Sequence, residues 1–344
     1  WLKIFCGVSR AMPQCRQCCG AGCRYHGRHG VRTCHGCQEG VAAAIARGQC
    51  PSCAQCHTRD ARGRVDKQTG YFYCSTCWAE YDSLRNYEFW DDPSDLEAKC
   101  QKLASMIAGS RHCIAFTGAG ISTGCGVPDF RSGTNTKLPT GPGVWQLSQE
   151  ERQKAGILDR AMAAVPGSTH TALSRLWRCG LLKQIVSQNV DGLHRKSGVP
   201  PGALCELHGN LYVEVCPRCG AEYERDFCVI TSARETGRAC ERPECGAALR
   251  DSGIRFGDPL PQKCWKRAWE HAETADLCLC LGSSLTVTPA SEIPAWIAKR
   301  HKLVIVNLQA TPLDGVACLL LHGMVDEVLE RVVQVLDQKG FLKG

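Results

Sequence analysis

Apolar positions after the first quarter of the chain follow helical spacing and short strand runs in alternation. The spacing predicts a first helix that begins at Ser94, where Ser94 and Glu97 are placed as a capping box, and that ends at Gly109. Its core-facing positions are Leu96, Cys100, Leu103 and Ile107. A closing helix is predicted over residues 325–336, and its apolar face consists of Val325, Val328, Leu329, Val332 and Leu336.

Between these two helices, apolar strands each run into a small or polar turn. Strands are predicted at residues 112–117, 183–187, 276–281 and 302–306, with further helices at 168–179 and from about Pro289. This alternation predicts an α/β fold with a doubly wound, Rossmann-like parallel sheet. In such a sheet, ligands bind at the carboxyl ends of the strands, so the turns that follow the strands are where functional residues are expected.

Composition restricts the class of protein. The 344 residues are 44% hydrophobic and 22% charged, which is typical of folded globular domains and excludes disordered, collagen-like and coiled-coil chains. The length favours two domains. No apolar run reaches the ~18–20 residues that a membrane-spanning helix needs, so no membrane partner is expected.

The first quarter of the chain differs chemically from the rest. Residues 1–80 contain 11 Lys and Arg against 4 Asp and Glu, together with 12 of the 26 cysteines. Charge and proline break this pattern at residues 90–93. We therefore predict a basic, Cys-rich module at 1–92 and an α/β domain at 93–344.

Cysteines spaced as C-x2-C recur in both parts, which is typical of zinc ligands rather than of a secreted disulfide framework and indicates a reducing compartment. Four such pairs in the first module are predicted to bind zinc, either as two tandem sites or in a cross-braced arrangement. They are Cys15 and Cys18, Cys34 and Cys37, Cys53 and Cys56, and Cys74 and Cys77. Further candidate ligands there are Cys19, Cys23, Cys50, His26, His29, His35 and His57.

A second set of cysteines predicts a four-thiolate zinc site in a small subdomain inserted at about 211–255. Its ligands are Cys216, Cys219, Cys240 and Cys245, with Cys228 as a bystander. A redox role for these pairs is the alternative.

Residues 118–122, which read G-A-G-I-S, follow a predicted strand and open a predicted helix. Small residues let the backbone approach a pyrophosphate, whose charge a helix N-terminus favours. The full dinucleotide fingerprint is incomplete, so an ordinary tight turn is the alternative.

Six motifs in order extend this observation. They read T-G-A-G-I-S-T-G-C-G-V-P-D-F-R at 117–131, Q-N-V-D-G-L-H at 188–194, E-L-H-G-N at 206–210, F-G-D at 256–258, G-S-S-L at 282–285 and V-N-L-Q at 306–309. Together they resemble the sirtuins, NAD-dependent protein-lysine deacylases, over roughly residues 93–338. The segments at 143–145, 249–251 and 307–309 are most similar to the class IV branch, whose best-known members act on chromatin in the nucleus.

The resemblance implies two catalytic residues. His208 would be the base that deprotonates a ribose hydroxyl, which then attacks the imidate carbon, and imidazole titrates in the range this needs. Asn189 would lie beside the reacting ribose. His194 receives no role by resemblance and is interpreted as structural.

The resemblance also implies an NAD site. Asp129 would hydrogen-bond the nicotinamide carboxamide, Phe130 would cover the sugar cation, Arg131 would contact phosphate or ribose oxygens, and Asp191 would lie near the nicotinamide pocket. The other implied cofactor-binding residues are Gly118, Ala119, Gly120, Thr123, Trp145, Gln188, Asn189, Gly282, Ser283, Ser284, Asn307, Gln309 and Val325. One departure lies within this site: residues 132–144 form a longer connection than is usual in class IV members.

The sequence therefore predicts an NAD-dependent protein-lysine deacetylase that forms nicotinamide and 2′-O-acyl-ADP-ribose, with histone tails or other nuclear proteins as substrates and the nucleus or cytoplasm as location. The alternatives are mono-ADP-ribosyl transfer and a catalytically weak chromatin-binding protein. A dehydrogenase is discounted, because its fingerprint and ribose-binding acid are absent. The arginine-rich first module, with Tyr71, Phe72, Tyr73 and Trp78 near its last cysteine pair, predicts nucleic-acid or chromatin binding. A protein-interaction finger or a solubilising segment are the other interpretations of that module.

Overall fold

The computed structural model describes residues 87–342 and the backbone of two short strands before them. The chain divides into two compact units, residues 1–86 and residues 87–344. In the first unit, β1 (Gly63–Val65) pairs antiparallel with β2 (Phe72–Cys74), with Gly63 opposite Cys74. The zinc ligands and partners predicted for this unit depend on side chains that lie outside the described residues. They remain predictions.

The second unit alternates strands and helices along the chain. Its strands are β3 (Cys113–Thr117), β4 (Gln184–Ser187), β5 (Leu204–Glu206), β6 (Val213–Val215), β7 (Glu222–Glu224), β8 (Glu235–Ala239), β9 (Ala248–Asp251), β10 (Leu277–Leu281), β11 (Lys302–Val306) and β12 (Leu319–Leu321). Its helices are α1 (Pro93–Ala108), α2 (Gln149–Lys154), α3 (Ile157–Ala163), α4 (Ser168–Arg178), α5 (Leu193–Lys196), α6 (Gln262–Thr274), α7 (Glu292–Ala298) and α8 (Val325–Gln338). No helix in this described part of the chain is both long enough and apolar enough to cross a membrane.

A six-stranded sheet in the order β12-β11-β10-β3-β4-β5 forms the centre of this unit, and every neighbouring pair is parallel. Along the chain, β3 comes first, β4 and β5 follow on one side of it, and β10, β11 and β12 then follow on the other side. The order therefore reverses between β3 and β10, and a crevice for ligands is expected there. The predicted doubly wound parallel sheet is confirmed.

Both faces of this sheet are buried, as β10 shows. Leu277, Leu279 and Leu281 face one hydrophobic core and Cys278 and Cys280 the other, because successive side chains of a strand point to opposite faces. Helices α1, α4 and α8 cover the first face, and α6 and α7 cover the second. The isolated cysteines of the strands are thus small core residues.

The apolar faces predicted for α1 and α8 are buried, which confirms both helices. The predicted start of α1 is wrong. Pro93 is its first residue and Asp92 its N-cap, because proline presets the helical φ and lacks the N–H that would be unpaired there. Ser94 and Glu97 consequently lie inside the helix, where the Glu97 carboxylate is 2.9 Å from Arg331.

The turn after β3 also differs from the prediction. Residues 119–125 form two 3₁₀ turns, Ala119–Ile121 and Thr123–Cys125, and not the start of an α-helix. Glycine is a poor helix former, and this segment has a glycine at every second position from 118 to 126 except 122. Similarly, α7 begins at Glu292 and not at Pro289.

A separate antiparallel sheet, in the order β7-β6-β9-β8, lies within the predicted inserted subdomain. Its own core is small and consists of the buried residues Cys216, Ala221, Cys240 and Leu249. Two of these four residues are predicted zinc ligands. A bound metal would therefore supply much of what a larger core supplies elsewhere.

Candidate active site

A cavity of about 470 Å³ lies at the carboxyl ends of the central strands, bordered by the turns after β3, β4, β5, β10 and β11. All the residues predicted for catalysis and cofactor binding line it except Asp191. They are Gly118, Ala119, Gly120, Thr123, Asp129, Phe130, Arg131, Trp145, Gln188, Asn189, His208, Gly282, Ser283, Ser284, Asn307, Gln309 and Val325.

Two glycine turns from distant parts of the chain meet at this cavity. The amide of Gly120 donates to the carbonyl oxygen of Gly282 at 2.8 Å. A Cβ on Gly120 would lie 2.6 Å from the Gly282 Cα, and a Cβ on Gly282 would lie 2.6 Å from the Gly120 carbonyl carbon. Gly282 also has a φ of 58°, a conformation that favours glycine. Both glycines are therefore required for the turns to approach each other, a role that the two sequence motifs did not reveal.

Asn189 is held rigidly beside the first glycine turn. Its Nδ2 donates to the carbonyl oxygen of Gly118 at 3.1 Å and to Ser122 Oγ at 3.2 Å. The side chain is buried. Because these bonds use both N–H groups, the amide oxygen is the atom that can accept from a ligand.

Asp191 lies behind this residue and outside the cavity lining. It accepts from Ser122 Oγ at 2.7 Å and from the amide of Leu193 at 3.0 Å. The left-handed turn at Gly192 (φ 72°) leads directly into α5, so the Asp191 carboxylate meets the first amide of that helix and is not among the residues that line the cavity. Its structural role is to fix the Ser122 hydroxyl, which in turn accepts a hydrogen bond from Asn189.

His208 lies in the turn after β5 and is partly buried. Its Nδ1 is 3.0 Å from the carbonyl oxygen of Gln188. A carbonyl only accepts, so Nδ1 carries the proton of the neutral ring and Nε2 is left to act as a base. Burial lowers the pKa of His208, so the neutral form predominates at pH 7.

The connection at 132–144 is closed at its base by a short stem. The amides of Gly143, Val144 and Trp145 donate to the carbonyl oxygens of Ser132, Asp129 and Phe130 at 2.9, 2.8 and 3.1 Å. The stem places the Trp145 ring 5.5 Å from the Phe130 ring, between centroids, and 4.6 Å from the Arg131 guanidinium carbon. The connection at 132–144 therefore ends with Trp145 at the cavity.

Polar side chains connect the turns around the cavity. Gln188 Nε2 donates to Ser283 Oγ at 2.8 Å, which joins the turns after β4 and β10. Gln309 Nε2 donates to Ser132 Oγ at 3.3 Å, and that hydroxyl donates to Asp129 at 2.5 Å. The strand ends and the segment at 129–132 thus form one hydrogen-bonded wall.

The cavity wall also contains residues to which the sequence assigned no role. The segment Ile254–Asp258 lines it, and the Phe256 ring lies 6.1 Å from the Trp145 ring between centroids. Asp258 pairs with Arg234, just before β8, and accepts from the amide of Arg255 at 2.7 Å. The F-G-D motif at 256–258, one of the six motifs in the sequence, was the feature that could have predicted this part of the wall. Leu138 also lines the cavity, and no pattern around it indicated that.

His194 is buried away from the cavity lining, in agreement with a structural interpretation. Its Nε2 is 3.0 Å from Thr117 Oγ1 at the end of β3, and its ring lies 5.1 Å from the His170 ring between centroids. Burial lowers its pKa well below the ordinary value, so the ring is neutral in the folded protein.

The four cysteines predicted as zinc ligands converge on one point of the second sheet. The sulfur atoms of Cys216, Cys219, Cys240 and Cys245 all lie within 4.8 Å of one another. A Zn–S bond of ~2.3 Å places four tetrahedral thiolates about 3.8 Å apart, which this arrangement fits. Cys228 is not part of the cluster, as expected. Four converging thiols favour a metal site over a redox pair.

Similarity to known proteins covers the part of the chain that contains the cavity and the four cysteines. The model of the Sir2 family matches residues 118–289, half of the chain. The NAD-dependent protein deacetylase SRT1 of Arabidopsis thaliana is 46% identical over 255 residues, which are 73% of this chain and 52% of that protein. The human NAD-dependent protein deacetylase sirtuin-7 is 41% identical over 267 residues, 73% of this chain and 63% of that protein. The chain thus spans between half and two thirds of the length of these relatives.

A solved structure extends this similarity to the fold. A Sir2 protein in complex with a p53 peptide and NAD+ is 31% identical, with a TM-score of 0.52 over 70% of this chain and 98% of that one. The matched region includes both glycine turns, His208 and the four converging cysteines. On these grounds the chain belongs to the Sir2 family.

Proposed function

We propose that the protein is an NAD-dependent protein-lysine deacylase that converts an acyl-lysine and NAD to lysine, nicotinamide and 2′-O-acyl-ADP-ribose. The observation that carries the proposal is the position of His208, whose Nε2 is available as a base at the same cavity as the two glycine turns. The printed names of the relatives and the Sir2 complex with NAD+ and peptide support it.

The chemistry of the cavity fits a dinucleotide. The close approach of the turns at Gly120 and Gly282 leaves backbone where a side chain would otherwise stand, and phosphate groups bind to such backbone. Arg131 places a cation at the cavity, where its forked N–H groups suit phosphate or ribose oxygens. NAD, when bound, supplies a ribose carbon that becomes electrophilic as nicotinamide leaves.

The residues of the chain then have separate tasks. His208 accepts a proton at Nε2 from a ribose hydroxyl, and its bond to the Gln188 carbonyl keeps the ring in the required tautomer. Asn189, fixed through Gly118 and Ser122, orients the sugar with its amide oxygen. Phe130 excludes water from that sugar, with Trp145 packed against it.

Exposed aromatic side chains at the cavity fit the acyl-lysine substrate. Phe256 is 87% exposed, Phe130 43% and Trp145 42%, although all three line the cavity. Apolar rings suit the long methylene stem of an acylated lysine, which no longer carries a charge. With the class IV resemblance, this supports a protein substrate such as a histone tail, and a nuclear location.

The basic first module supports a second part of the proposal, which is docking to nucleic acid or chromatin. Its excess of Lys and Arg over Asp and Glu in residues 1–80, mostly arginine, suits phosphate contacts. Binding of the whole chain to duplex DNA should weaken steeply with salt. Tight, salt-insensitive binding to a histone peptide instead would contradict nucleic-acid docking and favour a protein-interaction finger.

Nicotinamide release from NAD, measured with and without an acetyl-lysine histone peptide, tests the activity. We expect release that depends on the peptide, and deacylation of the peptide that falls by about 10²–10⁴-fold in His208→Ala, the usual contribution of a general base. The matched control is His301→Ala, which removes an exposed histidine outside the cavity lining and should change nothing. Protein labelling by ADP-ribose without peptide would favour the transferase alternative, and no release at all would contradict the proposal.

A further inference from the structure

The segment just before α1, residues 87–91, is fastened along the turns after β11 and β12. The amide of Phe89 donates to the carbonyl oxygen of Leu308 at 2.8 Å, and Leu308 lines the cavity. The amide of Asp91 donates to the carbonyl oxygen of His322 at 2.8 Å, and the His322 amide donates to the Asp91 carboxylate at 2.9 Å. The Phe89 and His322 rings lie 5.1 Å apart between centroids. These contacts fix the backbone on both sides of Glu88 and Trp90.

From this fixed backbone, Glu88 reaches the middle of the loop at 133–142. One carboxylate oxygen accepts from the Thr136 hydroxyl, and the other accepts from the Lys137 amide at 3.0 Å. Hydrogen bonds to an ionised acceptor are stronger than those between neutral groups. The Lys137 ammonium also lies 5.8 Å from the centroid of the Trp90 ring. Segment 87–91 therefore holds the middle of the loop at 133–142.

The held loop contributes directly to the cavity. Leu138 follows Lys137, lines the cavity and is 8% exposed. Its amide donates to Thr136 Oγ1 at 3.1 Å, so a single hydroxyl links the Glu88 carboxylate to the Leu138 backbone. The stem fixes the two ends of the loop, and Glu88 is bonded to its middle.

We infer that Glu88 is a positioning residue of the cofactor cavity: through Thr136 and Lys137 it holds the loop so that Leu138 forms one wall of the NAD site. The identity of the ligand rests on the proposed function. Loss of this contact releases Leu138 from the wall and weakens NAD binding. Because His208 lies on a different turn, the chemical step keeps its rate.

The variant Glu88→Gln tests this, because it replaces one accepting oxygen by an N–H₂ group that faces a donor. We expect the Kd and KM for NAD to rise about fivefold, as for the loss of one ~1 kcal/mol hydrogen bond, with kcat within about twofold of wild type. Thr136→Val should have the same effect, and Thr136→Ser, which keeps the hydroxyl, should restore wild-type affinity. The double variant Glu88→Gln with Thr136→Val should be no weaker than either single variant.

The matched control is Glu97→Gln, which makes the same change at a carboxylate on α1 that pairs with Arg331 outside the cavity lining. It should leave NAD affinity unchanged. Hydrogen exchange without NAD gives an independent measurement: the Lys137 amide should exchange faster in Glu88→Gln and at the wild-type rate in Glu97→Gln. Unchanged exchange in Glu88→Gln would overturn the inference, as would faster exchange with unchanged NAD affinity. A wild-type chain that binds no NAD would refute the proposed function instead, and the exchange result would still decide whether Glu88 holds the loop.

Discussion

Replacement of Gly120 by alanine tests whether contact between the two glycine turns sets both stability and cavity shape. The added Cβ would lie 2.6 Å from the Gly282 Cα and 2.9 Å from its carbonyl oxygen. Both neighbours are backbone atoms, so no side-chain rotation relieves the contact. To reach an ordinary carbon–carbon contact of ~3.5 Å, the turns must separate by about 0.9 Å. That movement would stretch the bond of 2.8 Å between the Gly120 amide and the Gly282 carbonyl oxygen.

The expected loss of stability follows from this geometry. Overpacking of a tight site costs about 1–3 kcal/mol. In a folded unit of this size, 1 kcal/mol corresponds to ~2–4 °C in Tm, so a cost of ~2 kcal/mol lowers Tm by about 4–8 °C. A displacement of almost 1 Å within an active site lowers kcat/KM by about tenfold to a hundredfold. Calorimetry and nicotinamide release measure the two effects.

Gly202→Ala is the matched control, since a Cβ at that exposed glycine would have no atom within 4 Å. It should retain the wild-type Tm and activity. A Gly120→Ala protein with the wild-type Tm would refute the packing argument. A destabilised Gly120→Ala protein with unchanged NAD affinity would refute the link between the contact and the cavity.

Three further predictions concern pH, metal and the nicotinamide end of the cavity. Burial lowers the pKa of His208 below the ordinary 6.5, so kcat/KM should stay constant down to pH 6.5 and fall only at lower pH. The free energy of unfolding should decrease over the same low-pH range, because the unfolded chain binds the proton more readily than the folded chain. An activity midpoint above pH 7 would contradict this. Cys216→Ser should remove one equivalent of zinc from the whole chain and make residues 211–255 sensitive to protease, because structural zinc contributes ~10–16 kcal/mol, whereas Cys228→Ser should keep its full metal content. Asp129→Asn should raise the inhibition constant of nicotinamide more than the KM for peptide, and equal changes in both would count against its assigned position.

The parallel sheet could be predicted from sequence because each strand and the turn after it form a local pattern. The cluster of four cysteines was predictable for the same reason, since the spacing within each of its two pairs is short. The position of Asp191 was not, because it depends on the left-handed turn at Gly192 and on a hydroxyl from Ser122, far away in the chain. The contact between Gly120 and Gly282 likewise joins residues that no spacing rule relates. The motifs indicated that these glycines bind a ligand, whereas in the structure their backbones contact each other directly.

Because of the stem at its base, the length of the loop at 133–142 does not determine the positions of the cavity residues beside it. Three backbone hydrogen bonds hold residues 129–132 against residues 143–145, whatever number of residues lies between them. Each doubling of a loop costs only ~0.6 kcal/mol in closure entropy, so insertion and deletion at this point are cheap. A change in the length of this loop would therefore alter what the site admits while Asp129 and Trp145 stay in place. For protein engineering, the same position is a graft site: a short turn between Ser132 and Gly143 would open one wall of the cavity and leave the catalytic residues untouched.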